Sequence, residues 1–217
     1  ELSKDELLEG IRQSTSKRIS DKRVAYLAQK LAALANQSYC AVKKNSPILE
    51  EVRYYAKELL RLSEQRQAVL EQMVELAQPL PEYEILLSIP GIAETTATSM
   101  IGELEDIRRF QSANQINAFI GIDLRHYESG NFLVKEHITK RGNPYARKIL
   151  FKCIHNIAAA SHTNHCHIED FYEKRKRQSQ TTSTKPHTIA SIHRLIRTMY
   201  YLITHNKLYD YASTQNR

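Results

Sequence analysis

Tryptophan is absent, and cysteine, glycine and proline are scarce, with 3, 6 and 6 residues in a chain of 217. Cys40, Cys153 and Cys166 are odd in number and widely spaced. They imply neither a disulfide framework nor a CxxC metal site, which fits a reducing compartment. No apolar run approaches the roughly 20 residues needed to cross a membrane. A basic-then-apolar leader is also missing, and the first residue is Glu1 rather than Met. The chain therefore reads as a fragment of a longer, cytoplasmic protein without a membrane partner. Few breakers leave room for long helices.

Those few glycines are not spread evenly. Five of the six fall between Gly91 and Gly142, so the chain turns most sharply there. Charge is uneven too. The net +7 conceals 15 Lys and Arg against 5 Asp and Glu from Ser129 to Arg217, while residues 1–128 are slightly acidic. Blocks of one sign can be solvated faces, but a positive half joined to a weakly negative one suits a docked polyanion, with nucleic acid leading.

A short helix from Leu2 to Ile11 opens the chain. Residues 21–44 follow as a second helix, with Val24, Leu27, Leu31 and Leu34 on one stripe. Pro47 closes it. From Ile48 the pattern sharpens: Ile48, Val52, Tyr55, Leu59, Leu62, Arg66, Val69, Met73 and Leu76 step by four and three. Eight of these nine are apolar, a heptad seam over four repeats. It fits either a hairpin with helix 21–44 or one half of a dimeric coiled coil. A homo-oligomer, dimer or tetramer, is expected from it. Pro79 and Pro81 then mark a boundary, giving a helical linker over 1–80 and a second domain over 81–217.

The second domain opens with an apolar helix from Tyr83 that runs into Pro90-Gly91, and another begins at Glu94. Helix, tight turn, helix is the shape of a helix-hairpin-helix, whose free N–H groups suit a phosphate. Gly91 is the candidate contact, although Ala93 stands where that motif has its second glycine; a plain helical corner is the alternative. Ser112 is placed to cap a helix over Ala113–Phe119 that Gly121 closes. Residues 122–139 are the one β-like stretch and read as a small hairpin with Ser129-Gly130-Asn131 near its tip. Asn143 caps, and Pro144 starts, a helix over about 145–161 burying Ile149, Leu150, Cys153, Ile154 and Ile157. His162, His165, Cys166 and His167 have ligand chemistry but no second pair nearby, so they read as polar helix-end residues. Gln178–Pro186 reads as a loop, and a last helix over Ile189–Leu202 turns Ile192, Leu195, Ile196 and Met199 inward. The fold class is mainly α.

Ser129 has no His/Asp partner at a telling spacing, so a hydrolase triad finds no support. It has cationic company instead. Arg125 and Lys135 flank it, and Lys140, Arg141, Asn143 and Arg147 follow on one turn and helix start. A hydroxyl ringed by guanidinium and ammonium groups suits attack on a phosphodiester, because cations stabilise charge growing on the phosphoryl oxygens. The runner-up reading is a helical nucleic-acid-binding module without chemistry.

Ser88-Ile-Pro-Gly-Ile, Gly102-Glu-Leu-Glu-Asp-Ile-Arg-Arg-Phe, Ala118-Phe-Ile-Gly-Ile, Glu128-Ser129-Gly130 and Thr139-Lys140-Arg141-Gly142-Asn143 occur in that order. The series resembles the C-terminal transposase domain of the bridge-RNA-guided insertion-sequence recombinases, and Piv-type DNA invertases are similar. The resemblance covers about residues 84–160. It implies a prokaryotic, nucleoid-associated DNA recombinase in which Ser129 matches the nucleophile that becomes joined to a DNA end. It also implies a guide RNA. It further implies an N-terminal RuvC-like domain whose carboxylates hold Mg²⁺, so this fragment holds no cofactor of its own and alone should be inactive.

Overall fold

The computed structural model describes residues 3–15, 18–38, 42, 46–125, 128–129, 132–133, 137–161, 163–179 and 182–215. The protein is mainly α-helical, and it divides into two compact units, residues 1–63 and 64–217.

In the first unit, α1 (Lys4–Gln13) begins with a capping box. The Ser3 hydroxyl accepts from the Glu6 N–H, and the Glu6 carboxylate accepts from the Ser3 N–H at 2.7 Å. It packs on α2 (Asp21–Gln37) through Ile11, Val24 and Ala28, with Leu7, Leu8, Ile19 and Leu27 around them. The expected stripe of α2 is thus half used: Val24 is buried, whereas Leu31 and Leu34 are exposed. The helix stops at Gln37, short of the expected residue 44. There the Ser38 hydroxyl donates back to the Leu34 carbonyl, a local bond that competes with helix continuation.

The next helix, α3 (Pro47–Ala77), is a single rod of 31 residues. The seam runs along it, but Ile48, Val52, Tyr55, Leu59, Leu62, Val69 and Leu76 all lie exposed.

The larger unit is built around α9 (Lys185–Thr204), whose Ile192, Leu195, Ile196, Met199, Leu202 and Ile203 are buried. The four residues expected to face inward do so. Against it lie α4 (Pro81–Leu87), α6 (Ala113–Ile120), α7 (Pro144–Ala160) and α8 (His167–Arg177), with α5 (Glu94–Leu104) on α4 and α7. The helix starts at Lys185, four residues before the expected Ile189. Pro186 sits in its first turn, where a proline lacks nothing the helix needs. From α7, Leu150, Cys153, Ile154 and Ile157 enter the core, while Ile149 packs at its edge. A short C-terminal turn, α10, covers Ala212–Gln215.

Three polar contacts tie the ends of this core together. Arg108, in a 3-10 turn over Ile107–Arg109, pairs with Glu82 of α4 and donates to the Ile203 carbonyl of α9 at 3.3 Å. The Tyr200 hydroxyl donates to the Phe110 carbonyl at 3.0 Å. Ser112 makes no side-chain cap on α6, contrary to expectation. Gln115 instead reaches back and accepts from the Gln111 N–H at 2.8 Å, fixing the chain just before the helix.

Candidate active site

Residues 121–143 leave the end of α6 and return to the start of α7. Gly121 ends α6 in the left-handed region, at φ 71°. A side chain there would meet the backbone nitrogen of Gly142 at 2.7 Å, and one on Gly142 would overlap the Phe119 carbonyl oxygen. The two glycines therefore cross backbone to backbone. Hydrogen bonds fasten the crossing: Thr139 N–H to Asp123 O at 3.0 Å, Lys140 N–H to Gly121 O at 2.9 Å and Asn143 N–H to Phe119 O at 2.8 Å. Residues 139–143 act as a strap that shuts the neck of the loop.

Beyond the neck, two antiparallel ladders pair Leu124–Arg125 (β1) with His137–Ile138 (β4), and Glu128–Ser129 (β2) with Phe132–Leu133 (β3). Ser129 lies opposite Phe132 in the second ladder. The side chains of Arg125 and Ser129, and all of Lys135, lie outside the described residues.

The strap residues divide into two kinds. Lys140 and Arg141 are exposed, and neither has an acidic partner among the described residues. Lys140 adopts φ 56°, a conformation that a non-glycine residue enters only at a cost. Asn143 and Arg147 are bound inward. The Asn143 side-chain oxygen accepts from the N–H groups of Tyr145 and Ala146, and its amide donates to Glu103 at 2.7 Å. The Arg147 guanidinium donates to the Ile120 carbonyl at 2.7 Å, closing the end of α6. So Lys140 and Arg141 turn outward, while Asn143 and Arg147 hold the neck in shape. Gly91 sits apart from this group. At φ 87° it lies so close to α7 that a side chain would come within 2.5 Å of the Ile157 Cα.

Three residues at the neck were not singled out as a site in the sequence. The Thr139 hydroxyl donates to the Asp123 carboxylate at 2.5 Å. His193 of α9 lies near Ile122, Asp123 and Arg197; burial, then the Arg197 charge, holds its pKa below the ordinary value. Their separation of some seventy residues gives no local pattern to find.

Other chemistry is poorly supplied. Both described cysteines are free and buried. Burial, reinforced by neighbouring Cys166, pushes the Cys153 thiol up to about 12, far from a reactive thiolate. Among the described residues no group of three His, Cys, Asp or Glu could hold a metal ion. His165 and His167 stack on Tyr211 and Tyr209 instead.

Residues 83–173 match the Transposase IS116/IS110/IS902 family, a segment that starts in α4, spans the strapped loop and ends in α8. The chain is similar to IS110-type transposases. Among curated relatives, the transposase for insertion sequence element IS1111A of Coxiella burnetii is 36% identical over 80 residues, 37% of this chain and 22% of that protein. The transposase for insertion sequence element IS1328 of Yersinia enterocolitica is 29% identical over 107 residues, 46% of this chain and 32% of that protein. The chain thus spans under a third of each of these two relatives. No described helix is long and apolar enough to cross a membrane.

Proposed function

We propose that this chain is the linker and catalytic transposase region of a DNA transposase, and that Ser129 is its nucleophile. The observation that carries this reading is the strapped neck: it sets two exposed cations, Lys140 and Arg141, at the base of the loop bearing Ser129. The family match spans the same loop.

In the proposed step the Ser129 oxygen attacks a DNA phosphorus. A serine–phosphate bond forms as the bond from phosphorus to the leaving sugar oxygen breaks. The hydroxyl proton leaves to solvent or a base, and the departing oxygen takes up a proton. Reversal with a different DNA hydroxyl restores Ser129 and exchanges the strands. Arg125, Lys135, Lys140 and Arg141 stabilise the extra negative charge on the phosphoryl oxygens. Asn143 and Arg147 position the strap. Among the described residues no three His, Cys, Asp or Glu come together as metal ligands, and in this reading the Mg²⁺ that the resemblance implies would be held by a further domain of the transposase.

A guide RNA would occupy part of the basic half. The exposed seam of α3 would pair with a second copy, since a heptad repeat over 31 residues, roughly 45 Å of helix, matches itself in register. In the full-length transposase, Ser129→Ala should abolish strand exchange while DNA binding stays within about twofold, since only a hydroxyl is lost. Exchange at the wild-type rate would end the nucleophile assignment.

A further inference from the structure

A cavity of about 650 Å³ opens in the larger unit between the start of α8, the second half of α9 and the segment that returns over them from Lys207. That is the size of a small-ligand site, roughly 300–1,000 Å³. Apart from His167, its lining residues lie beyond the segment that matches the transposase family.

Its floor is rigid and neutral. The His167 ring bonds the Tyr209 hydroxyl at 2.8 Å and the Thr198 hydroxyl at 3.2 Å, and it stacks on the Tyr209 ring with 13° between planes. Burial, followed by the charge of Arg194, holds the imidazole down at about 4, so it carries no charge near pH 7. The field in the cavity is therefore set by its walls.

Those walls are cationic. Arg194 and Arg197 stand one turn apart on α9, and Lys207 shares the lining with its Nζ 5.9 Å from the Tyr201 ring centroid. The Arg194 guanidinium lies 4.5 Å from the Phe171 ring centroid, which holds its plane. Neither Arg197 nor Lys207 makes an ion pair among the described residues. The one acid on the lining, Asp210, already accepts from the Ala212 N–H at 3.0 Å. Two lining side chains offer exposed apolar surface: Leu208 is 61% exposed and Tyr201 41%, the Tyr201 ring lying 4.3 Å, centroid to centroid, from that of His205. Three cations against one carboxylate leave the lining net positive, which suits an anion, and the exposed apolar groups beside them suit a flat hydrophobic group attached to it. A bare phosphate would leave those groups unused, and a duplex is too wide to enter a cavity of this size.

We propose that this cavity takes one unpaired nucleotide of a nucleic-acid strand, with its phosphate on Arg194, Arg197 and Lys207 and its base against Leu208 and Tyr201. The inference rests on the reading that the chain handles nucleic acid, and it adds a second binding site remote in sequence from Ser129. Either DNA or RNA offers this chemistry.

The test is fluorescence anisotropy with the 217-residue chain, using a single-stranded thymidine oligonucleotide, its uridine counterpart and a duplex. Arg197→Gln with Lys207→Gln should weaken single-strand binding about tenfold and lower the log–log salt slope by one to two. Lys174→Gln with Lys185→Gln, an equal charge loss elsewhere, should cost under about threefold. Leu208→Ser, at an exposed site, should weaken single strands roughly threefold without changing the salt slope or duplex affinity. The tighter of the two single strands names the source, and either supports the cavity. Equal losses from the two double variants, or a Leu208→Ser protein that binds like wild type, would overturn the proposal. If wild type binds no nucleic acid, the broader reading falls with it. If wild type and variants all bind duplex while the cavity variants bind single strands normally, this site alone is wrong.

Discussion

Helices α3 and α9 carry the same kind of apolar repeat and meet opposite fates. In α9, Ile192, Leu195, Ile196 and Met199 are fully buried, whereas in α3 the residues Val52, Tyr55, Leu59 and Leu62 are about half to two-thirds exposed. The difference lies in their neighbours. In α9 the neighbours are α6, α7 and α8 of the same unit, each bringing its own apolar side chains. Periodicity therefore identifies a helix and its sticky face, but not what covers that face. On α9 the cover is this chain; on α3 the proposed cover is a second copy.

The buried side of the comparison should break most severely. Ile196→Ala leaves a hole amid packed helices, and urea unfolding of the larger unit should register a loss of about 2–5 kcal/mol. Asn143→Ala removes the cap of α7 and its tie to Glu103, and should cost about 1–2 kcal/mol in the same measurement. The smallest effect on folding belongs to α3: Leu59→Ala with Leu62→Ala should change monomer stability by no more than about 0.5 kcal/mol per site. Sedimentation should nonetheless show loss of self-association. A large stability loss there would mean that the seam is covered within the chain.

His167 supplies a pH-dependent contrast. Its folded pKa, about 4, lies below the ordinary histidine value because of burial and then Arg194. A depressed value means that protonation opposes folding, so its stabilising effect is whole above about pH 6.5 and fades as pH falls toward 4. Relative to wild type, His167→Gln should flatten the fall in Tm over that window. Parallel Tm profiles would show that the ring titrates without penalty.

Much of the fold is legible in the sequence, and the reasons differ by element. The inward residues of α9 and α7, the left-handed close at Gly121 and the Asn143 cap follow from local rules about period, glycine and helix ends. The start of α9 at Lys185 is masked in the sequence because proline suits both a loop and the first turn of a helix, and Pro186 occupies the latter. The stop of α2 at Gln37 was hidden because its apolar stripe continues through Leu34 without a partner to hold it. At the site, the cations of the strap stand out locally. The inward ties of Asn143 and Arg147, and the approach of His193 to Asp123, depend on packing between distant segments. Ser129 itself is inconspicuous, a serine beside glycine; its candidacy rests on its basic neighbours and on the ordered motifs around it.

The central claim is that Ser129 forms the bond to DNA. Full-length transposase should be trapped with its DNA substrate, digested with protease and nuclease, and the modified peptide sequenced by mass spectrometry. The account predicts a nucleotide remnant on Ser129, absent from the Ser129→Ala protein. A remnant on any other residue, or strand exchange without a covalent remnant, would contradict it.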